Sequence, residues 1–238
     1  MIQFYAPDIE KTLSLPPSDS QHCIKVLRHQ IGDIIEVIDG SGNSFTCRIV
    51  DPHQKHTSVE IIEKRSLPLC WDYSVTIAVA PTKMMDRMEW LVEKLTEIGV
   101  NRIVPLLCEH SERKEIKLER LEKIAVSAMK QSLKATKPII EDMTRIDTFL
   151  KSVPADDEKF VGYCDADTPR LLFSQALKPE RNVTVLIGPE GDFSPAEIRN
   201  VIECGFIPMT LGDNRLRTET AALMACETVH IVNQIRKI

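Results

Sequence analysis

The sequence predicts a protein in two parts: a small β-barrel over residues 1–70, then an α/β domain with a mainly parallel sheet over residues 71–238. Three observations support this division. Short β-like runs separated by turn residues fill the first part, strands and helices alternate through the second, and Pro68 interrupts the strand pattern between them. With 43% hydrophobic residues, the chain can build a core in each part.

The first part is predicted to contain a β-hairpin. Its strands are Ile34–Ile38 and residues 44–50, and the glycines of the intervening segment 39–43 can supply the positive φ angles of a tight turn. A further strand is expected over residues 58–62. The segment 19–28 that precedes the hairpin is predicted to be a short helix.

The second part shows the alternation expected of an α/β domain. The helix predicted over residues 84–98 places apolar side chains on one face and ends at Gly99, and its methionines are interpreted as core residues. The predicted strands lie at residues 73–80, Arg102–Leu107, 159–163, Val183–Ile187 and 206–211.

Two glycine-bearing loops follow the last two of these strands. The loop 188–193 leads into Ser194 and Glu197, which form the pattern of a capping box at a helix start. The loop 212–217 leads into Thr218, a candidate N-cap for a helix over residues 219–235. The two loops form a ligand pocket if their strands are neighbours in the sheet.

Glycines in such loops let backbone N–H and C=O groups approach a ligand without a Cβ between them. The spacing of Gly188 and Gly191 does not match the dinucleotide fingerprint or the P-loop, so it does not indicate a phosphate-binding loop. From spacing alone, each loop is as consistent with an ordinary turn as with a binding site.

Composition limits the classes of partner. The net charge of −5 is unusual for a nucleic-acid-binding protein, and an aromatic content of 5% argues against an extended stacking surface for single-stranded RNA. Any RNA contact must therefore be local. Residues 111–134 are locally basic, although much of this charge is typical of a solvated helix face.

The cysteines indicate a reduced protein without a metal site. They are odd in number and show no C-x-x-C pair, so we expect buried thiols, with neither disulfides nor zinc. The chain has no signal-peptide pattern and no apolar run long enough to span a bilayer, which predicts a cytoplasmic location. The seven cysteines are Cys23, Cys47, Cys70, Cys108, Cys164, Cys204 and Cys226.

The loop pair Gly188-Pro189-Glu190-Gly191 and Leu211-Gly212-x-x-x-Leu216-Arg217-Thr218-Glu219-Thr220-Ala221 resembles the C-terminal signature of the SPOUT methyltransferases. More closely, it resembles the RsmE family of small-subunit ribosomal RNA uridine N3-methyltransferases. This resemblance implies a PUA-like barrel, a C-terminal trefoil knot and a homodimer. It also implies S-adenosylmethionine as the cofactor and small-subunit rRNA, naked or assembled, as the partner.

The same resemblance implies the residues of the active site. Arg217 is the expected catalytic residue, which would stabilise negative charge on the uracil as N3 loses its proton. The alternative for Arg217 is an ion pair with Glu190 or Glu219. The expected cofactor-binding residues are Ile187, Gly188, Pro189, Glu190, Gly191, Leu211, Gly212, Leu216, Arg217, Thr218 and Ala221.

The resemblance also implies RNA-binding residues. Family members usually carry Glu at position 130 and Arg at position 134, and this chain has lysine at both. For Arg28, a solvated surface charge is the alternative. The expected RNA contacts are Lys25, Arg28, Lys83, Arg87, Arg113, Gln131 and Lys134.

Two other functions remain open at this point. A SPOUT enzyme that methylates a ribose 2′-oxygen would share both cofactor loops and differ in its product. A non-catalytic RNA-binding or ribosome-assembly factor would account for the barrel, but it would not need the segment 216–220.

Overall fold

The computed structural model describes residues 2–163 and 169–235. Packing divides these residues into two compact units. The first unit comprises residues 2–71 and 126–137, and the second comprises residues 72–125 and 138–235.

The first unit is built on a four-stranded sheet. The strands are β1 (Gln3–Tyr5), β2 (Ile34–Ile38), β3 (Asn43–Asp51) and β4 (Ser58–Ser66), in that spatial order. β1 pairs with β2 in parallel and the other pairs are antiparallel. An antiparallel bridge between Ser14 and Ser58 connects the segment after β1 to β4 at the far edge.

Alternating side chains of this sheet form the core of the first unit. Phe4, Val37, Phe45 and Ile49 are fully buried, since each faces the same side of its strand as its neighbours across the sheet. Met129 and Ala135 pack against Ile38, and this contact is why residues 126–137 belong to the first unit.

The predicted hairpin turn is confirmed. Gly40 and Gly42 have φ angles of 81° and 94°, in the region that favours glycine. The Asp39 carboxylate holds the turn by accepting hydrogen bonds from the Ser41 backbone N–H (2.8 Å) and from Asn43 Nδ2 (2.7 Å).

The predicted helical stretch over residues 19–28 is confirmed, although its bounds are shifted and part of it is π-helical. α1 (Ile9–Thr12) precedes it, α2 runs over Pro17–Gln21, and a π-helical turn follows over His22–Val26. Arg28 has a φ angle of 59°, a left-handed conformation that a continuing helix does not allow. Cys23 of the π-helical turn is fully buried in the core, and the partly buried Ile24 also packs against it.

The second unit contains an eight-stranded sheet in which every described pairing is parallel. The order is β10-β12-β9-β11-β5-β6-β7, and β8 also pairs with β6. The strands are β5 (Val75–Val79), β6 (Arg102–Leu107), β7 (Ile139–Ile140), β8 (Thr144–Arg145), β9 (Glu158–Gly162), β10 (Leu171–Leu172), β11 (Val183–Ile187) and β12 (Ile207–Thr210).

Helices cover both faces of this sheet, so the central strands are buried along their whole length. α5 and α7 pack on one face, while α3, α6 and α8 cover the other. The helices are α3 (Met85–Ile98), α4 (Leu118–Gln131), α5 (Ile146–Ser152), α6 (Phe173–Ala176), α7 (Pro195–Glu203) and α8 (Thr218–Ile235). The later part of α4, from Val126, belongs to the first unit.

The interpretation of the α3 methionines is half correct. Met88 is fully buried, as expected of a core residue. Met84 precedes the helix and is 55% exposed, because its backbone is extended and does not continue the helical face.

The expectation of buried thiols holds for Cys23, Cys47, Cys108 and Cys226, and burial raises the pKa of the Cys108 thiol to about 12. It is wrong for Cys70 and Cys204, which are exposed because Cys70 lies in an open segment and Cys204 caps the exposed end of α7. Cys164 lies outside the described residues. Among the described residues no cluster could hold a metal ion, and no helix is long and apolar enough to cross a membrane.

Candidate active site

The carboxyl ends of three parallel strands meet at one edge of the sheet of the second unit. β9 ends at Gly162, β11 at Ile187 and β12 at Thr210. β9 lies between β11 and β12. The two strands that precede the signature loops are therefore not neighbours in the sheet, as the simplest form of the pocket would require. Gly162 has no side chain to separate the two loops, and a Cβ there would lie 2.9 Å from Ile187 Cδ1.

The first signature loop, residues 188–193, is packed tightly. A Cβ on Gly188 would lie 2.9 Å from the Phe193 ring, which is itself buried in the core. The predicted capping box is confirmed, because Ser194 Oγ accepts from the Glu197 N–H (3.3 Å) and Glu197 Oε2 accepts from the Ser194 N–H (2.9 Å). The capping box fixes the point at which the loop enters α7.

The second signature loop, residues 212–217, is more open. Gly212 has a φ angle of 129°, and a Cβ there would meet no atom within 4 Å. The Thr210 hydroxyl donates to the Gly212 carbonyl (2.8 Å) and accepts from its N–H (3.2 Å). The loop is therefore held at its base and leaves open space beside Gly212.

The prediction that Thr218 is the N-cap of α8 is wrong. The helix begins at Thr218, and the Ala221 N–H donates to the Arg217 carbonyl (2.8 Å), which places Arg217 at the cap position. The buried Thr218 hydroxyl instead donates to the Gly188 carbonyl at 3.3 Å. This hydrogen bond joins the two signature loops.

The loops enclose a cavity of about 1030 Å³, at the upper end of the size range of small-molecule sites. Its walls combine backbone of the glycine loops with polar and charged side chains. The lining residues are Arg87, Gly162, Tyr163, Arg170, Ile187, Gly188, Pro189, Glu190, Asp192, Met209, Thr210, Leu211, Gly212, Asp213, Asn214, Arg215, Leu216, Arg217, Thr218, Glu219 and Ala221.

The predicted cofactor residues come together at this cavity with one exception. Gly191 is absent from the lining, and a Cβ there would meet His110 Cβ at 3.2 Å. Gly191 therefore allows a close approach of two protein segments. Arg87, predicted from the resemblance as an RNA contact, also lines the cavity.

Sequence reasoning missed the contribution of β9. Gly162 and Tyr163 line the cavity because β9 separates β11 from β12, and only the strand order shows this. Arg170 was missed as well, and its guanidinium donates to the Tyr163 carbonyl (3.1 Å). Asp192, Asp213, Asn214 and Arg215 in the signature loops, and Glu219 in the first turn of α8, could have been selected as polar neighbours of the predicted residues.

Neither of the alternative partners considered for Arg217 is bound to it. Glu219 is nearly buried and faces the Arg87 guanidinium at 3.6 Å. Glu190 accepts a hydrogen bond from the Lys83 backbone N–H at 3.0 Å, so it fastens the first loop to the segment before α3. Throughout residues 2–163 and 169–235, no hydrogen bond or ion pair engages the exposed Arg217 guanidinium.

All three predicted RNA-binding residues of the second unit have partners within the protein, and the partner of Arg87 is Glu219. The Arg113 guanidinium donates to the carbonyls of Thr82 (3.3 Å) and Lys83 (2.8 Å). Lys83 Nζ pairs with Glu112 at 3.0 Å, in an exposed position. Arg113 therefore supports the backbone beside the first signature loop.

In the first unit, Lys25 and Arg28 differ from most of the other basic residues. Within residues 2–71, Lys11, Arg48, Lys64 and Arg65 each form an ion pair with a carboxylate. Lys25 and Arg28 are exposed and have no such partner among the described residues. Gln131, at the end of α4, is exposed, and the nearby Lys134 is partly buried.

Lys130 forms an ion pair inside the first unit. Its Nζ lies 2.9 Å from Asp19 Oδ1, and the Asp19 side chain is 9% exposed. Asp19 also accepts from the Tyr5 backbone N–H at 3.3 Å. The lysine at this position thus neutralises a nearly buried carboxylate.

Comparison with known proteins agrees with this architecture. A family model described as an RNA methyltransferase domain matches residues 70–230, and a model described as an RNA methyltransferase PUA domain matches residues 15–62. The ribosomal RNA small subunit methyltransferase E of Synechocystis sp. is 30% identical over 229 residues, which cover 93% of this chain and 74% of that protein.

Two solved structures are similar along almost the whole chain. A probable rRNA-methyltransferase of Porphyromonas gingivalis is 44% identical with a TM-score of 0.94, covering 99% of this chain and 100% of its own. The ribosomal RNA small subunit methyltransferase E of Neisseria gonorrhoeae, bound to S-adenosyl methionine, is 26% identical with a TM-score of 0.85, covering 98% of each chain. The chain described here therefore belongs to the RNA methyltransferase family that includes ribosomal RNA small subunit methyltransferase E.

Proposed function

We propose that this protein transfers a methyl group from S-adenosylmethionine to N3 of a uridine in small-subunit ribosomal RNA. The observation that carries the proposal is the cavity bounded by the two signature loops, in a chain of this family. A relative with the same overall fold binds S-adenosyl methionine.

The residues present fit this cofactor. The open space beside Gly212 and the small side chain of Ala221 leave room for a ligand, and the carbonyls and N–H groups of the loops can recognise polar edges of an adenosine. When bound, S-adenosylmethionine supplies the methyl group. The protein holds the reacting atoms in line and excludes competing water, which lowers the entropic part of the barrier.

Arg217 is the group that we assign to charge stabilisation. When N3 of uracil loses its proton, negative charge spreads onto O2 and O4, and a fixed cation close to those oxygens lowers the barrier. The Arg217 guanidinium lines the cavity and is not neutralised by a carboxylate among the described residues. We assign no general base.

For RNA binding we propose two groups of residues, one in each unit. Lys25 and Arg28 suit phosphate contacts because their charges are not already paired, and Gln131 and Lys134 extend the set within the first unit. In the second unit, Arg87 is at the cavity itself and Lys83 is at the neighbouring segment. We assign Arg113 a supporting role, since two backbone carbonyls occupy its guanidinium.

We further propose a homodimer, a knotted C-terminal segment and a cytoplasmic location. α8 exposes Met224 and Ile231, seven residues apart on one helix face, which suits burial against a second copy. The return of the chain from β12 to pack α8 on β5 and β11 is consistent with the knot. The location follows from the substrate, because ribosomal RNA is cytoplasmic in bacteria.

A methyl-transfer assay tests the proposal. The protein is incubated with S-adenosylmethionine carrying a radiolabelled methyl group and with small subunits from cells that lack the corresponding enzyme. We expect label in the RNA with the wild-type protein and no label with Ala221→Leu, which fills the cavity. Absence of label from subunits and from naked rRNA would contradict the proposed activity.

A further inference from the structure

His110 makes an unusual pair of contacts with the first signature loop. Its Nδ1 lies 3.1 Å from the Gly191 carbonyl oxygen and 3.0 Å from the Asp192 carbonyl oxygen. A carbonyl oxygen can only accept, so Nδ1 carries the proton and donates to both. One imidazole N–H thus holds two successive backbone groups that are about eighty residues away along the chain.

The backbone segment that His110 contacts, residues 189–192, has an uncommon conformation. The Asp192 N–H donates to the Pro189 carbonyl at 2.9 Å, which closes a tight turn over residues 189–192. Asp192 itself has a φ angle of 60°, a conformation uncommon in residues other than glycine. Within this turn, Pro189, Glu190 and Asp192 line the cavity, so its conformation sets part of the cavity wall.

The residues around His110 allow it to approach the first signature loop and fix its position. A Cβ on Gly191 would lie 3.2 Å from His110 Cβ, so a glycine is what lets the histidine come close to the loop. His110 follows β6, and the Glu109 N–H donates to Glu197 Oε1 at 2.8 Å, which fixes the segment that carries the histidine. The imidazole is thus attached to a fixed support.

Two other contacts hold the same loop at different points. Thr218 Oγ1 donates to the Gly188 carbonyl at its start, and Glu190 accepts from the Lys83 N–H near its middle. His110 holds the end of the turn, at Gly191 and Asp192. His110 is not among the residues that line the cavity, so its effect on a ligand must pass through the loop.

We propose that His110 is a positioning residue that keeps the 189–192 turn in the conformation required to bind S-adenosylmethionine. This inference rests on the proposed function, because it takes the cavity to be the cofactor site. The mechanism is preorganisation: without the imidazole N–H, the ligand must order the turn as it binds, and affinity falls by that cost.

The test uses three variants of His110 and a matched control. His110→Asn keeps an N–H donor close to the position of Nδ1, His110→Gln moves the donor one bond further away, and His110→Ala removes it. Lys114→Ala is the control, since Lys114 is exposed on the same segment and contacts neither carbonyl. Calorimetry measures the Kd for S-adenosylmethionine, and hydrogen exchange measures protection of the Asp192 amide without ligand.

We expect His110→Ala to raise the Kd for S-adenosylmethionine about tenfold and to speed exchange of the Asp192 amide, because both hydrogen bonds from Nδ1 are lost. His110→Asn should recover most of the affinity, while His110→Gln should resemble alanine. In steady-state assays the KM for the cofactor should rise while kcat at saturating cofactor stays within about twofold. Lys114→Ala should match the wild type.

Equal affinity and equal exchange in wild type and His110→Ala would overturn the inference while leaving the proposed function intact. If the wild-type protein itself does not bind S-adenosylmethionine, the result contradicts both the proposed function and the role of His110. Should His110→Ala fail to fold, the asparagine and glutamine variants decide, since equal affinity in those two would also contradict a role for the Nδ1 donor.

Discussion

Arg217 has the two properties that a charge-stabilising residue needs. It lines the cavity, and among the residues described by the structure no carboxylate neutralises it. The two carboxylates considered as its partners make other contacts, since Glu219 faces Arg87 and Glu190 accepts from Lys83. The Arg217 guanidinium is therefore available to a substrate.

Replacement of Arg217 by alanine should lower kcat by roughly 10²- to 10³-fold, the usual loss when one charge-stabilising donor is removed. The Kd for S-adenosylmethionine should change by less than about threefold, because the cofactor contacts are mainly to backbone. Arg217→Lys should recover part of the rate. Stopped-flow or single-turnover methylation separates the effect on kcat from the effect on the Kd for S-adenosylmethionine. Arg199→Ala, an exposed arginine on α7, serves as the control, and an unchanged rate in Arg217→Ala would refute the assigned role.

The structure explains why this chain can carry lysine at position 130, where family members usually carry glutamate. In this chain it neutralises Asp19, whose carboxylate is nearly buried. Lys130→Met should destabilise the protein by about 2 kcal/mol, because it leaves that carboxylate without its cation, and Lys130→Glu should cost more. Chemical unfolding measures both.

A double-mutant cycle with Asp19→Asn isolates the Lys130–Asp19 interaction. We expect a coupling energy of about 1 kcal/mol or more between the two sites. Additive effects of Asp19→Asn and Lys130→Met would mean that the ion pair contributes nothing, and a role for Lys130 in RNA binding would then be the better explanation.

At the scale of elements, the β2–β3 hairpin depends on one carboxylate. Burial raises the pKa of Asp39, but the hydrogen bonds from Asn43 and Ser41 outweigh it, so the pKa lies below its ordinary value of 3.8. A carboxyl group whose pKa is lowered by folding contributes stability above its unfolded pKa, and this contribution is lost as the pH falls through the folded pKa.

Asp39→Asn should therefore lower the free energy of unfolding by about 1–2 kcal/mol at pH 7. The difference from wild type should shrink as the pH falls from 3.8 through the lower pKa of the folded state, because the wild-type carboxyl group becomes protonated and can no longer accept at both oxygens. Urea unfolding at several pH values measures this difference in the free energy of unfolding. Asp51→Asn, which changes an exposed carboxylate, is the control. A difference that does not shrink at any acidic pH at which the protein remains folded would contradict this account of the turn.

Elements with a strong local signal could be predicted from the sequence. The glycines of the hairpin turn and the capping box at Ser194 and Glu197 were identified because each depends on residues only a few positions apart. The helical stretch was predicted, but its π-helical turn at His22–Val26 was not, because a single π-helical turn leaves no residue pattern that distinguishes it from an α-helix. Thr218 was misassigned because its partner, the Gly188 carbonyl, is thirty residues away.

At the scale of the whole molecule, the sheet order decided which residues reach the site. The sequence predicted the strands before both loops, but strand order is set by packing between distant segments, and this placed β9 between β11 and β12. The contributions of Gly162, Tyr163 and Arg170 to the cavity follow from that order. The contact of His110 with the first loop could not be predicted for the same reason.

The assembly should be a dimer. Light scattering coupled to gel filtration is expected to give twice the 26.9 kDa mass of one chain. Ile231→Asp, on the exposed face of α8, should shift the population towards monomer, because it places a charge in an apolar contact. Arg199→Ala, which changes an exposed residue of α7, is the control and should not do so. A wild-type protein that is monomeric and fully active would contradict the proposed dimer.

The central claim concerns the atom that is methylated, and nucleoside analysis tests it most directly. Small subunits that lack the modification are incubated with the protein and S-adenosylmethionine, the RNA is digested, and the methylated nucleoside is identified by mass spectrometry. The account predicts N3-methyluridine. A 2′-O-methyl nucleoside would keep the fold and the cofactor but contradict the proposed specificity, and the absence of any methylated product would contradict the proposed activity.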